Sequence, residues 1–167
     1  MGIVELAEIL IIVHIDGLCE PVNTGGTATF GYVIRQDGAV LARNSGVVGV
    51  GPVMSNNVAE YAALCEALEF LRKRKLENSP VEVRSDSTLV VNQLNGKWNF
   101  RQGLYHEKYL EAKSLSAQFS NLRFRWIPRE ENEEADGLSR EAYEKRHDSR
   151  SVSSTFFLSC SLVLFVE

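Results

Sequence analysis

The hydrophobic period of the sequence switches once, near Asn57, and that switch limits the folds open to the chain. Upstream of it, apolar residues either run continuously, as in "ILIIVHI" at 9–15, or alternate, as in "TATFGYVIRQ" and the first half of "AVLARNSGVVGV". Both patterns describe strands, and their β-branched residues suit a pleated surface. Asp37 and Gly38 form a hairpin signal between the second and third runs, so consecutive antiparallel strands are expected. From Asn57 onward Val58, Tyr61, Ala62, Leu64, Cys65, Leu68 and Leu71 recur at helical spacing, and "RKRK" at 72–75 suits the C-terminal end of that helix. "PVEVRSD" then predicts a short strand, and "STLVVNQLNG" a short helix that Gly96 ends. Residues 104–119 read as a longer helix with Leu104, Tyr109, Ala112, Leu115 and Phe119 inward. "LRFRWIP" alternates as a strand, and "NEEADGLSREAYEKR" closes as a helix. A meander of hairpins followed by βα units predicts an α/β fold, a mixed sheet with helices packed on it.

The chain is long enough for a core of its own. At 167 residues and 44% hydrophobic, folding buries roughly two thirds of the unfolded surface without staples. Cys19, Cys65 and Cys160 are odd in number and show neither CxxC nor paired-histidine spacing, so disulfides and zinc are not expected, and a reducing, cytoplasmic compartment is. The N-terminus "MGIVELAEILIIVHID" carries acids where a signal peptide needs a positive charge. "HDSRSVSST" at 147–155 reads as a polar linker, which bounds one domain at 9–146. The apolar tail beyond it, 155–166, is shorter than the roughly 20 residues of a membrane span. It is expected to pack back on the domain as an extra strand or over an apolar groove, with docking on another chain or a membrane surface as the rival; the protein is otherwise expected to be a monomer without a membrane partner. A net charge of −4 means that any use of nucleic acid depends on local positive charge or on metal ions, because phosphate neutralisation drives such binding.

Carboxylates interrupt this framework at element ends. Asp16 ends the first strand, Glu60 lies one turn into the first helix, Asp86 follows "VEVRS", and Asp136 lies early in the last helix. If the first and fourth strands are neighbours, Asp16 and Asp86 emerge side by side, and nearby helix starts bring Glu60 and Asp136 to the same point. Acids gathered so closely repel one another and raise their own pKa values unless a cation neutralises them. All-oxygen ligands point to a hard divalent ion, Mg²⁺ or Mn²⁺.

The segments "HIDGLCEPVNTGGTATFGYVI", "SNNVAEYAAL", "VEVRSDSTLVVNQLNGKW" and "WIPREENEEADGLSREA" resemble, in order and spacing, the successive blocks of the type 1 ribonuclease H family, over about residues 9–146. The resemblance implies a five-stranded mixed sheet with helices on both faces. It also implies Mg²⁺-dependent cleavage of the RNA strand of an RNA/DNA hybrid, with Asp16, Glu60, Asp86 and Asp136 as metal ligands. Two ions about 4 Å apart would activate water and stabilise the departing 3′ oxygen, leaving a 5′ phosphate and a 3′ hydroxyl. Contacts across the minor groove, where the 2′ hydroxyl is read, fall by the family pattern to Gly17, Leu18 and Cys19 and to Asn23, Asn56 and Asn57. Gly17 would let a phosphate backbone come close. Either Asn56 or Asn57 could instead cap the helix that carries Glu60.

Two departures from the family stand out. The loop before the last helix lacks the family's histidine and has Arg129 in its place. The basic, tryptophan-containing handle is reduced to Lys97, Trp98, Arg101 and Lys108, with Trp98 either a substrate platform or a packing residue on the following helix. Double-stranded RNA, which also presents 2′ hydroxyls, stays open as a substrate, and so does a catalytically silent RNA- or hybrid-binding domain on the same fold.

Overall fold

The computed structural model describes residues 10–100 and 102–159. Its elements follow the expected order: β1 Ile11–Glu20, β2 Thr27–Gln36, β3 Ala39–Val50, α1 Asn56–Lys73, β4 Val81–Ser85, α2 Thr88–Leu94, α3 His106–Ser116, β5 Leu122–Trp126 and α4 Glu133–Ser159, with a 3₁₀ turn at Arg129–Glu131 before α4. The strands form one five-stranded sheet in the order β3-β2-β1-β4-β5. β1, β2 and β3 pair antiparallel, whereas β1–β4 and β4–β5 pair parallel. Asp37 (φ 51°) and Gly38 (φ 75°) are both left-handed, the backbone of a type I′ turn whose twist matches the strands it joins.

β1 is the central strand, which explains its unbroken apolar run. Ile11, Val13 and Ile15 are fully buried beneath α1, whose Tyr61, Leu64, Leu68 and Leu71 are equally buried. Burial of each such side chain stabilises the fold by about 1.5–3 kcal/mol. α2 and α3 flank α1, and α4 packs on the opposite face across β1, β2 and β3. At Gly31 a Cβ would stand 2.5 Å from the Ala135 carbonyl oxygen, so α4 crosses β2 where no side chain intervenes.

Several expectations need correction. β1 does not end at Asp16 but continues to Glu20, because β2 pairs with it along its whole length. What ends near Asp16 is the parallel ladder with β4, whose last rung is His14–Arg84. The N-cap of α1 is neither Asn56 nor Asn57 but Ser55, whose hydroxyl accepts from the Val58 N–H at 3.3 Å. α3 starts at His106, leaving Leu104 half exposed, while Tyr109, Ala112 and Leu115 point inward and Phe119 is buried just past the helix end.

The polar segment at 147–155 is not a linker, since α4 runs through it. No glycine or proline follows Gly137 in the sequence, so nothing breaks the i→i−4 ladder. At 27 residues α4 is about 40 Å long. Residues 155–159, expected in an extra strand, are helical, and 160–167 lie outside the described residues. Among the described residues no helix is long and apolar enough to cross a membrane.

Candidate active site

Register brings the first two acids together. His14 and Arg84 are partners on parallel strands, so two residues further along each chain Asp16 and Asp86 stand level, just beyond the last rung. Glu60 arrives from α1, which approaches β1 so closely that a Cβ at position 17 would lie 2.1 Å from the Glu60 nitrogen. Gly17 is therefore glycine to admit the helix, and its N–H donates to the Glu60 carboxylate. Oxygens of Asp16, Glu60 and Asp86 all lie within 4.8 Å of one another.

The cluster is costly as it stands. Asp16 and Glu60 are buried and Asp86 is half-buried. Burial, resisted by a hydrogen bond from Ser139 and reinforced by the charges of Asp86 and Asp136, pushes the Asp16 carboxyl up to about 6. Burial and then the charges of Asp16 and Asp86 push Glu60 well above the usual carboxylate range. Glu60 Oε2 is buried without a hydrogen-bond partner among the described residues. Converging carboxylates, all oxygen donors, with one buried oxygen unused, fit a hard divalent cation.

Asp136 is not drawn into this cluster. It sits half-buried in the first turn of α4, paired with Arg129 at 2.6 Å and near Arg140 at 3.9 Å. Arg129 is largely exposed and, with Glu130, Glu133 and Asp136, lines a shallow depression of about 370 Å³.

Residues without an assigned role in the sequence hold the acids in place. Ser139, one turn beyond Asp136, donates its hydroxyl to Asp16 Oδ2. Asn132 is buried and its amide donates at 2.9 Å both to Asp86 Oδ1 and to the Ile15 carbonyl, tying β1 to the end of β4. The Trp126 indole N–H donates to the Asp86 carbonyl at 3.1 Å. Two local signals were available: the three-residue spacing of Asp136 and Ser139 on one helix face, and an asparagine immediately ahead of an acidic helix start.

The remaining candidates fall in two places. Asn56 Oδ1 accepts from the Cys19 N–H at 2.7 Å and Asn23 Oδ1 accepts from the Asn56 N–H at 2.9 Å, forming a polar chain beside Gly17 and the half-buried Leu18. Asn57 is half-buried in the first turn of α1. Lys97 and Trp98 lie apart, with Leu89, Gln93, Asn99 and Tyr105, around a depression of about 410 Å³ after α2. Trp98 is 49% exposed.

A mixed sheet in this strand order, with acids at the end of the central parallel ladder and a helix on the far face, defines a ribonuclease H-like fold. The family model described as reverse transcriptase-like matches residues 14–142. The chain belongs to this family, and within it to the type 1 ribonuclease H proteins. It is 34% identical over 120 residues to ribonuclease HI of Halobacterium salinarum, covering 72% of this chain and 58% of that protein. It is 31% identical over 131 residues to the bifunctional protein Rv2228c of Mycobacterium tuberculosis, covering 77% of this chain but 35% of that one. The chain thus spans about a third of the mycobacterial relative and little over half of the halobacterial one. Among solved structures, RNase H1 of Halobacterium salinarum NRC-1 matches with a TM-score of 0.73 at 31% identity, over 81% of this chain and 98% of that one. LC11-RNase H1 in complex with an RNA/DNA hybrid matches with a TM-score of 0.73 at 37% identity, over 81% and 98% of the two chains.

Proposed function

We propose that this protein is a metal-dependent endoribonuclease that hydrolyses the RNA strand of RNA/DNA hybrids, leaving 5′-phosphate and 3′-hydroxyl ends. The observation that carries this reading is the convergence of Asp16, Glu60 and Asp86 within 4.8 Å, with a buried Glu60 oxygen left unused. These acids, with Asp136 at the rim, would hold Mg²⁺, or Mn²⁺ in its place, as a pair of ions. Bound there, divalent ions supply an activated water and neutralise charge on a departing oxygen.

The chain's own residues do the rest. Ser139 and Asn132 fix the Asp16 and Asp86 carboxylates, so the ligands are set before substrate arrives. Arg129, in the loop where the family carries a histidine, would hold a phosphate oxygen and release Asp136 from its ion pair, a role for a fixed charge and not for a proton carrier. The polar chain of Cys19, Asn23 and Asn56, with Gly17, Leu18 and Asn57 beside it, would meet the minor groove, where the backbone carbonyls and side-chain amides suit 2′ hydroxyls. Lys97 and Trp98 would grip the DNA strand. The free, buried thiols of Cys19 and Cys65 accord with action in a reducing cytoplasm, and the protein is taken to work as a monomer.

The test is cleavage of labelled RNA/DNA hybrid, RNA duplex and DNA duplex by the purified protein with Mg²⁺, with Mn²⁺ and with chelator. Hybrid alone should be cut, on its RNA strand and only with a divalent ion. Equal cutting of RNA duplex would broaden the substrate class, and binding without turnover would make the protein a silent hybrid-binding domain.

A further inference from the structure

The outer face of β4 and β5 carries a charged cluster that the proposed catalytic site does not use. Alternation along β5 sends Leu122 and Phe124 toward the core on the α1 side and Arg123 and Arg125 to the opposite face, where both side chains are 62% exposed. On the same face of β4, Glu82 is buried, and its carboxylate takes Arg84 at 2.7 Å, Arg123 at 2.9 Å and Arg125 at 3.9 Å. Among the described residues α4 packs on β1, β2 and β3, and Arg123 and Arg125 stay largely exposed.

One carboxylate cannot neutralise three guanidinium groups. The cluster keeps an excess of positive charge on a chain whose net charge is −4, and it is organised, because a buried acid holds the arginines at one spot. Each guanidinium presents several donors in a fixed fork and cannot lose its proton at ordinary pH, which suits phosphate. Its position relative to the acids is set by register. Glu82 and Arg84 share a face of β4 with the Asp86 position, and their β5 partners are Arg123 and Arg125. The arginines therefore begin about 7 Å from Asp86, two strand residues away, and continue for about another 7 Å.

We propose that this face is a docking track for the phosphate backbone of a nucleic-acid strand that extends beyond the carboxylate site, an inference that rests on reading that site as a hybrid nuclease. The occupant is a single-stranded extension of the substrate. Arg123 and Arg125 hold its phosphates, and Arg84, kept in place by Glu82, stands level with Arg125 on the neighbouring strand.

The experiment compares a blunt RNA/DNA hybrid with the same hybrid carrying a single-stranded DNA overhang at one end or the other, and adds direct binding of a single-stranded DNA oligonucleotide, which needs no catalysis. The proteins are wild type, Arg123→Gln/Arg125→Gln and Arg123→Lys/Arg125→Lys, with melting temperature as the folding control. Wild type should bind one overhang substrate severalfold more tightly than the blunt one. The glutamine variant should lose that preference, with blunt-hybrid turnover unchanged. Its salt dependence on single-stranded DNA should also flatten by about 1.4, at about 0.7 for each phosphate no longer neutralised. The lysine variant should keep most of the preference. No overhang preference in wild type, or one that survives in the glutamine variant, overturns the proposal and leaves the face to another partner. A wild type that cuts no hybrid yet binds single-stranded DNA through these arginines would sink the nuclease reading and keep the track.

Discussion

Replacing Asp16 by asparagine should make the protein more stable and inactive, and the pH dependence of that gain is the informative part. Asn keeps the shape and the acceptor oxygen for Ser139 but cannot ionise. In the folded protein the Asp16 carboxyl is pushed from an ordinary 3.8 up to about 6, chiefly by burial. Between those values the folded state holds a proton that the unfolded state has released, so stability falls as pH rises through the window and then levels off. About two pKa units at about 1.36 kcal/mol each amount to about 3 kcal/mol of destabilisation above about pH 6. Denaturant unfolding in chelator should accordingly show Asp16→Asn more stable than wild type by up to about 3 kcal/mol near pH 8, with the two converging below about pH 4. Adding Mg²⁺ should restore wild type by about 2.7 kcal/mol at about 100 times its dissociation constant, with a smaller effect on the variant. A gain of equal size at both pH values, or a variant less stable than wild type near pH 8, would refute the assignment of this cost to a buried ionised carboxylate. Mg²⁺ that stabilises both proteins equally would remove Asp16 from the ligand set.

Gly17→Ala should lower the melting temperature and hybrid cleavage together, at a cost of about 1–3 kcal/mol or more, because a Cβ 2.1 Å from the Glu60 nitrogen forces α1 and Glu60 off β1; unchanged thermal unfolding would contradict the close approach. Arg129→Ala should reduce kcat more than it raises KM, since its partner Asp136 lies at the rim of the acids; steady-state kinetics in which neither parameter moves would return Arg129 to the solvated surface. Asn132→Ala should cost about 1–3 kcal/mol by stranding the buried groups it serves, and it should weaken Mg²⁺-induced stabilisation because Asp86 loses a fixed orientation. Thermal shifts with and without Mg²⁺ measure both effects, and equal Mg²⁺ shifts in variant and wild type would deny Asn132 its positioning role.

What the sequence determined by itself is what depends on near neighbours. Periodicity separates the strands before Asn57 from the helix after it, because side-chain direction repeats every two residues in one and every 3.6 in the other. The Asp37-Gly38 turn is equally local, since only residues tolerant of positive φ fill both positions. The positions of Asp16, Glu60 and Asp86 at the sheet's working end were legible because each interrupts a local apolar pattern. The apolar run of β1 did not say where its pairing with β4 stops, and that stop opens space beside Asp16 inside a strand that continues to Glu20. Gly17 and Gly31 are small because helices cross there on opposite faces, contacts between residues far apart in the chain. Nor could spacing show that Asp136 would be taken up by Arg129 and Arg140, leaving three acids in close contact, or that Asn132 would tie two strands at the site. The alternating arginines of "LRFRW" became a cluster only when β5 paired in register with β4 and put Arg123 and Arg125 beside Glu82 and Arg84. Faces are local properties of a chain, whereas the partner of each face is chosen by packing and register across the whole fold.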